Sequence, residues 1–507
     1  MGWRVTVLKF SDITDPATEA MRSAGLFASE MTTPTLRLGV TGLSRAGKTV
    51  FITALVRNLI GDGRLPFLAA QAEARIIRAY LEPQPDDSIP RFAYEDHLAL
   101  LAGVPPQWPE GTRRISQLRL TIEYVPRGLI RRTLTPALGH GRLHLDIIDY
   151  PGEWLIDLAL LDQNYATWSR QALADAAVPS RVGHAAEFVA FLAGIDAQAV
   201  LDEAVAQTGA RLFRSYLAAA RAAEPQLSTL GPGRFLMPGD LDGSPLLTFF
   251  PLPLTLPVSG QAPPPTAPRG SLAQAMTRRY DSYVGHVVKP FFRDHFSRID
   301  RQIVLLDALS ALNRGPAALL ELSAAMGNVL SAFRPGVNSW LSSIFRRRVD
   351  RIVFAATKAD HLHQSSHAAL EGLVGVLTER AQKRASFAGA TVKPLALAAI
   401  RATREGEVKS GREMVPCIIG TPEAGESVAG VTFDGRTETA LFPGDLPADP
   451  LELLRHGATR VAGAEDVRTV RFRPPRLILQ TPAGGRPAPP HIRLDRALEF
   501  LIGDKLV

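Results

Sequence analysis

The sequence predicts an α/β fold: a sheet covered by helices on both faces, with a large helical insertion and a small C-terminal β-rich region. Three observations predict it. Short apolar runs of strand length (Leu36–Thr41, Leu143–Ile148, Gln302–Asp307, Arg351–Ala356 and Leu395–Ala399) alternate with longer stretches at helical spacing. Runs that stay apolar from residue to residue belong to strands buried on both faces, as in a parallel sheet. An Ala- and Leu-rich helical pattern then fills Trp154 to about Arg298, and the last hundred residues turn to β-type patterning.

Taken in order, residues 1–35 read as a flexible arm, and Met31 is an alternative start. The first core segment, 36–153, opens with a strand, a Gly-bounded loop and a helix running on from Val50. Leu68–Leu81 and Tyr94–Leu101 are predicted as helices. Gln117–Tyr124 alternates as a half-buried strand should, with Leu143–Ile148 as its antiparallel neighbour. The insertion, 154–300, is helical around a Pro/Gly section from Pro232 to Gly270, whose length marks an irregular loop. Its Tyr280, Tyr283 and Val287 stripe is expected in the helix core. The second core segment, 301–410, carries the strands at Gln302 and Arg351 and helices over Pro316–Phe333 and Ser366–Ala385. In 411–507, Asp434-Gly435 between Val431–Phe433 and Arg436–Leu441 reads as a hairpin, and Asp495–Ile502 as a closing amphipathic helix.

Composition excludes several function classes. Hydrophobic residues make up 46%, enough for a real core. Lys+Arg 57 against Asp+Glu 50 leaves +7, too thin over 507 residues to argue for a nucleic-acid partner. Cys417 is the single cysteine, so a disulfide framework, a CxxC redox pair and a Cys-rich zinc site are excluded, and a reducing compartment follows. The most apolar window, Leu246–Val258, is broken by Pro251, Pro253 and Pro257 and falls short of the roughly 20 residues a span needs. Lys9 and Asp12 interrupt the start before any apolar signal core forms. A cytoplasmic location is expected.

The chemistry lies in four segments. Gly42-Leu43-Ser44-Arg45-Ala46-Gly47-Lys48-Thr49 fits G-x-x-x-x-G-K-[ST] between a strand and a helix that continues at Val50. Such a loop turns successive amides and a helix mouth toward a pyrophosphate; Lys48 neutralises its β and γ oxygens, and Thr49 offers Mg²⁺ a hydroxyl. Asp149-Tyr150-Pro151-Gly152 ends the next core strand, placing a carboxylate for Mg²⁺ and a glycine amide for a γ-phosphate. The second D-x-x-G, Asp240–Gly243, follows no strand and is set aside. Asp307 is a rival metal carboxylate, although a structural role suits it better. Thr357-Lys358-Ala359-Asp360 follows a third strand: Asp360 can accept from N1 and N2 of guanine, with the Lys358 stem along the base. The Ala399 amide, after the fourth strand, would meet the guanine carbonyl oxygen.

These segments, in this order, resemble the P-loop GTPases. G-L-S-R-A-G-K-T-V-F at Gly42–Phe51, D-Y-P-G-E-W at Asp149–Trp154 and T-K-A-D at Thr357–Asp360 further resemble the YcjX-like family of bacterial stress-associated GTP-binding proteins, from Leu36 onward. The resemblance implies a GTPase sheet with a helical insertion, GTP/GDP and Mg²⁺ as ligands, and a protein partner at the inner membrane in the envelope stress response. It favours GTP over ATP.

Further roles follow from that frame. Glu153 stands where many small GTPases place a water-orienting glutamine; its charge would repel the γ-phosphate, so slow hydrolysis is expected, with a plain helix-start carboxylate as the alternative. Arg45 stands where some GTPases carry a cation-binding Asn, and is either a positive charge in its place or a solvent-facing side chain. Thr112 is the chosen switch threonine over Thr121 and Thr133, with Arg113 and Arg114 as candidate arginine fingers. His361, His363 and His367 have zinc-like spacing without cysteine, and Arg346-Arg347-Arg348 is a basic run that fits a solvated turn or anionic lipid. The expected activity is slow GTP hydrolysis as a switch; the alternatives are a non-hydrolysing, nucleotide-gated scaffold docking on a membrane protein, and an ATPase.

Overall fold

The computed structural model describes residues 33–43, 45–111, 114–127, 140–223, 230–254, 267–329, 349–410, 413–447, 449–451 and 467–507. Seven strands form the central sheet: β1 (Thr35–Gly42), β2 (Ile76–Glu82), β3 (Ser116–Tyr124), β4 (Gly141–Asp149), β5 (Arg301–Leu306), β6 (Arg351–Ala356) and β7 (Thr391–Ala396). Their order is β2-β3-β4-β1-β5-β6-β7. From β4 to β7 all pairs are parallel, whereas β2–β3 and β3–β4 are antiparallel. The sheet is thus mixed.

Strand alternation divides the core into two layers. Ile303 and Leu305 of β5 and Val353 and Ala355 of β6 face the layer holding Phe51, Ile52 and Leu55 of helix Lys48–Ile60. Val304, Leu306, Ile352 and Phe354 face the opposite layer, with Leu319, Leu373 and Val374 from helices Pro316–Val329 and His367–Leu377. That second layer runs on into the insertion. There helices Tyr165–Ala176, Val182–Ala193, Glu203–Ala222 and Leu272–Tyr283 surround an aromatic core in which Trp168 stacks on Tyr280 at 5.2 Å. Tyr280, Tyr283 and Val287 are all buried in it.

Four elements depart from the sequence reading; Ser366–Ala385, read as one helix, breaks at Thr378 into His367–Leu377 and Glu379–Phe387. Leu68–Leu81 is not one helix: Ala69–Ala72 makes a single turn, Ala74 takes a left-handed φ of 51°, and Ile76 onward becomes β2. A short run rich in Ile, Tyr and Leu suits either period, and the open edge of β3 supplies the ladder that decides it. The Asp434-Gly435 turn exists, Asp434 accepting from the Arg436 and Thr437 amides at 2.7 and 2.9 Å, but its flanks do not pair as a hairpin. Instead Val431–Thr432 pairs with Ser427–Val428, and Thr439–Leu441 joins a sheet with Arg404–Ser410 and Glu413–Gly420. The closing helix, Leu494–Ile502, leaves the β-rich region altogether and packs Leu498 and Leu501 into the first core layer.

Candidate functional site

The sheet ends set the site. β1 runs into Gly42, where an added Cβ would lie 2.5 Å from the Leu305 carbonyl oxygen; only glycine lets the loop leave the strand so close to β5. Arg45 and Gly47 take left-handed φ values of 64° and 81°, curling the loop before the Lys48–Ile60 helix starts. The Lys48 ammonium is buried and donates to the Gly42 carbonyl at 2.8 Å, spanning the loop it would serve. Thr49, also buried, donates its hydroxyl to the Glu110 carbonyl at 3.1 Å. Glu110 lies in the stretch that leads to β3, so this bond already ties that stretch to the phosphate loop.

Asp149 closes β4 beside Val40 of β1 and is buried. Gly152 lies against the phosphate loop itself: a Cβ there would meet the Gly42 oxygen at 2.3 Å and the Leu43 nitrogen at 3.0 Å. Thr49 and Asp149 supply the hard oxygen donors that Mg²⁺ takes, so the residues fit that ion. Glu153 starts the helix Glu153–Ile156 and points to Arg221 of the insertion, which donates to it at 2.8 Å.

At the other end, Thr357 caps β6 by donating its amide to the Leu306 carbonyl at 2.9 Å. Lys358 adopts a left-handed φ of 61°, and its ammonium meets Asp307 at 2.5 Å. Asp307 also accepts from the Ser310 amide at 3.1 Å, so it works as a helix cap and an anchor for Lys358. Asp360 is buried, its Oδ2 accepting from the Ala402 amide at 2.7 Å, while Thr403 donates its hydroxyl to the Asp360 carbonyl. The loop Leu397–Thr403 therefore folds around Asp360.

One cleft of about 470 Å³ joins both ends. Arg45 to Phe51 line it on one side, and Thr357, Lys358, Asp360, Ala399 and Ala402 on the other. Neither Asp149, Gly152 nor Glu153 lines it. Several lining residues belong to none of the four segments, among them Trp108 from the loop before β3, His361 next to Asp360, and Glu423, Arg471 and Phe472 from the C-terminal region. Motif spacing has no means of finding lining residues supplied from a distant segment.

The three histidines do not converge. His361 packs its ring on Phe472 at 5.0 Å, and burial lowers its pKa below the usual range. His367 bonds Ala359 O at 2.8 Å, and His363 is half-buried, its Nδ1 2.9 Å from the Ser365 hydroxyl. Among the described residues no three metal-binding side chains gather. Thr121 is buried inside β3, bonded to His144 Nδ1 at 2.8 Å. Ser44, Thr112, Arg113, Thr133, Arg346-Arg347-Arg348 and residues 1–32 lie outside the described residues. No described helix is long and apolar enough to cross a membrane.

Known proteins are similar to this chain over most of its length. The profile of the YcjX-like family, DUF463, matches residues 36–506. A protein of Escherichia coli (strain K12) named Ras-like GTPase YcjX is 37% identical over 474 residues, 93% of this chain and 96% of its own. A protein of the same name from Shewanella oneidensis is 35% identical over 483 residues, 93% of this chain and 94% of its own. With a cleft that joins a phosphate loop to a T-K-x-D turn, and a profile match from β1 to the closing helix, the chain belongs to the YcjX-like family.

Proposed function

We propose that the protein is a Mg²⁺-dependent GTPase acting as a slow conformational switch. One observation carries the reading: the phosphate loop and Asp360 line a single cleft. The Lys48 ammonium would exchange its Gly42 carbonyl for β and γ oxygens, and loop amides would hold the pyrophosphate. Thr49 and Asp149 would hold Mg²⁺, with Thr112 as the switch threonine; the ion would neutralise the triphosphate when bound. Asp360 would accept from guanine N1 and N2, with the Lys358 stem along the base and the Ala399 amide at the carbonyl oxygen. Arg45, exposed at the rim, would add positive charge. GTP would draw in the stretch around Glu110 and Thr112 and the Gly152 turn, and hydrolysis would release them. The output would be altered binding of a protein partner, at the inner membrane in the envelope stress response, a role that rests on the family resemblance.

A second reading, a nucleotide-gated scaffold without hydrolysis, draws support from Glu153: its carboxylate is engaged by Arg221. Phosphate release by wild type and Glu153→Gln separates the two. Calorimetry with GTP, GDP, ATP and ADP in Mg²⁺, beside Lys48→Ala, tests the leading reading. It expects guanine nucleotides alone to bind and Lys48→Ala to lose them; binding of ATP alone makes the protein an ATPase, and indifference to guanine nucleotides ends the account.

A further inference from the structure

Helix Glu153–Ile156 starts one residue past Gly152, and the insertion packs on it backbone to backbone. An added Cβ at Gly233 would lie 2.1 Å from the Glu153 carbonyl oxygen, so only glycine lets the insertion come this close. The Trp154 indole N–H donates to the Met237 carbonyl at 3.1 Å, and Asp157, just beyond the helix, accepts from the Gly233 amide at 2.6 Å. The peptide that carries Glu153 is thereby fixed. Its carboxylate is buried, one residue from the glycine that lies against the phosphate loop.

In that position the carboxylate works against GTP. A triphosphate carries more negative charge than a diphosphate, and the added charge sits at the γ position that the Gly152 amide would meet. A buried carboxylate close by, left uncancelled, repels GTP more than GDP, because low-dielectric surroundings screen poorly. Arg221, in the last turn of helix Glu203–Ala222, answers it: Nη2 donates to Glu153 Oε1 at 2.8 Å. A neighbouring cation, Arg234, is engaged elsewhere, lying over the Trp154 ring and pairing with Asp240 at 3.0 Å.

We infer that Arg221 is a positioning residue that sets the preference between GTP and GDP, by cancelling the Glu153 charge and holding that carboxylate on the insertion. This rests on the guanine reading above and deepens it, because it names the insertion residue to which the third phosphate is sensitive. Arg221 acts only through Glu153. Any movement of the insertion that draws Arg221 off Glu153 therefore weakens GTP relative to GDP, which gives a partner bound to the insertion a route to the nucleotide.

The test is calorimetric titration of full-length protein in Mg²⁺ with GDP and with GTPγS, which resists hydrolysis. The readout is the ratio of the two dissociation constants, with nucleotide-free melting temperatures measured alongside. Arg221→Ala is expected to weaken GTPγS by about tenfold relative to GDP. Arg221→Lys keeps the cation and should stay near wild type. Adding Glu153→Gln to Arg221→Ala removes the charge that needed cancelling and should return the ratio to its wild-type value. Glu153→Gln alone leaves the Arg221 cation uncancelled and should shift the ratio severalfold toward GTPγS. An unchanged ratio in Arg221→Ala overturns the inference. So does equal weakening of both nucleotides, which would reduce Arg221 to a packing residue, or a double variant that keeps the Arg221→Ala ratio. If Arg221→Ala fails to fold, Glu153→Gln decides alone, and an unchanged ratio there overturns the inference. A wild type that binds neither nucleotide ends the guanine reading and this inference with it, whereas a flat ratio across variants that do bind ends the inference alone.

Discussion

Arg221, near the end of the 20-residue insertion helix, donates to the Glu153 carboxylate at 2.8 Å, one residue past the glycine that lies against the phosphate loop. The insertion grips the same short helix twice more. Asp157 accepts from the Gly233 amide and the Tyr283 hydroxyl, each at 2.6 Å, and the Arg234 guanidinium lies 3.3 Å above the Trp154 ring. The segment after Gly152 is therefore held by the insertion at Glu153, Trp154 and Asp157.

Arg221→Ala should leave the buried Glu153 carboxylate without that cation. Arg221 is itself partly exposed, so the expected loss is about 1–3 kcal/mol, toward the lower end of what breaking an ion pair costs. In urea denaturation, Glu153→Gln together with Arg221→Ala should be less destabilised than the sum of the two single changes. Additive losses would mean the pair is not coupled.

Gly152→Ala forces a Cβ to within 2.3 Å of the Gly42 oxygen. Backbone on backbone cannot yield cheaply, so the phosphate loop must shift. Circular dichroism should report a folded protein. GTP turnover should fall by on the order of a hundredfold, as expected when reacting groups are displaced by a fraction of a bond length.

Asp360→Asn replaces one of two carboxylate acceptors with a donor. On the proposed base recognition the guanine N1 and N2 donors would then lack their acceptor, and the variant should lose GTP affinity by about a hundredfold or more. ATP binding should not improve in proportion. Asp307→Ala removes the anchor of Lys358 and should weaken both guanine nucleotides by a smaller factor, read in the same titration.

Stability should fall as pH rises from 4 to 7, through Asp157. Burial pushes its carboxyl up to about 6, against the gains from Tyr283 and Gly233. A carboxyl that binds its proton more tightly when folded stabilises the fold fully below the unfolded pKa near 4. That contribution is lost as pH climbs through the folded value. The wild type should lose on the order of 2–3 kcal/mol across this window in urea melts. Asp157→Asn should lack that slope, and equal slopes in the two proteins would exclude Asp157 as its source.

The sequence reading placed the phosphate loop, Asp149 and Asp360 at strand ends because each is a short pattern following an apolar run, and the structure has them there, with the loop and Asp360 lining one cleft. It reached β4, β5 and β6 because buried strands leave long apolar runs, and β3 through its alternation of apolar and polar residues. It missed β2, whose Ile76–Glu82 is half exposed at the sheet edge and looks no different from a helix start. It also missed Trp108, Phe472 and Arg221. Each acts through a partner hundreds of residues away or on a separate helix, and no local spacing encodes such a meeting. Glu153 shows the same limit from the other side: its position was legible, but its engagement by Arg221 was not.

The helix Leu494–Ile502 fills the sheet's first layer, and Asp504 just beyond it meets the fully buried Arg301 guanidinium of β5, with Nη2–Oδ2 at 2.6 Å. Ribosomal synthesis makes these residues hundreds of positions after the phosphate loop. Until they arrive, Arg301 has its Asp350 partner but not Asp504, and an apolar sheet face lacks the cover of Leu498 and Leu501. The first layer of the sheet is thus completed by the last residues made, and a chain ending before residue 494 would leave that face uncovered.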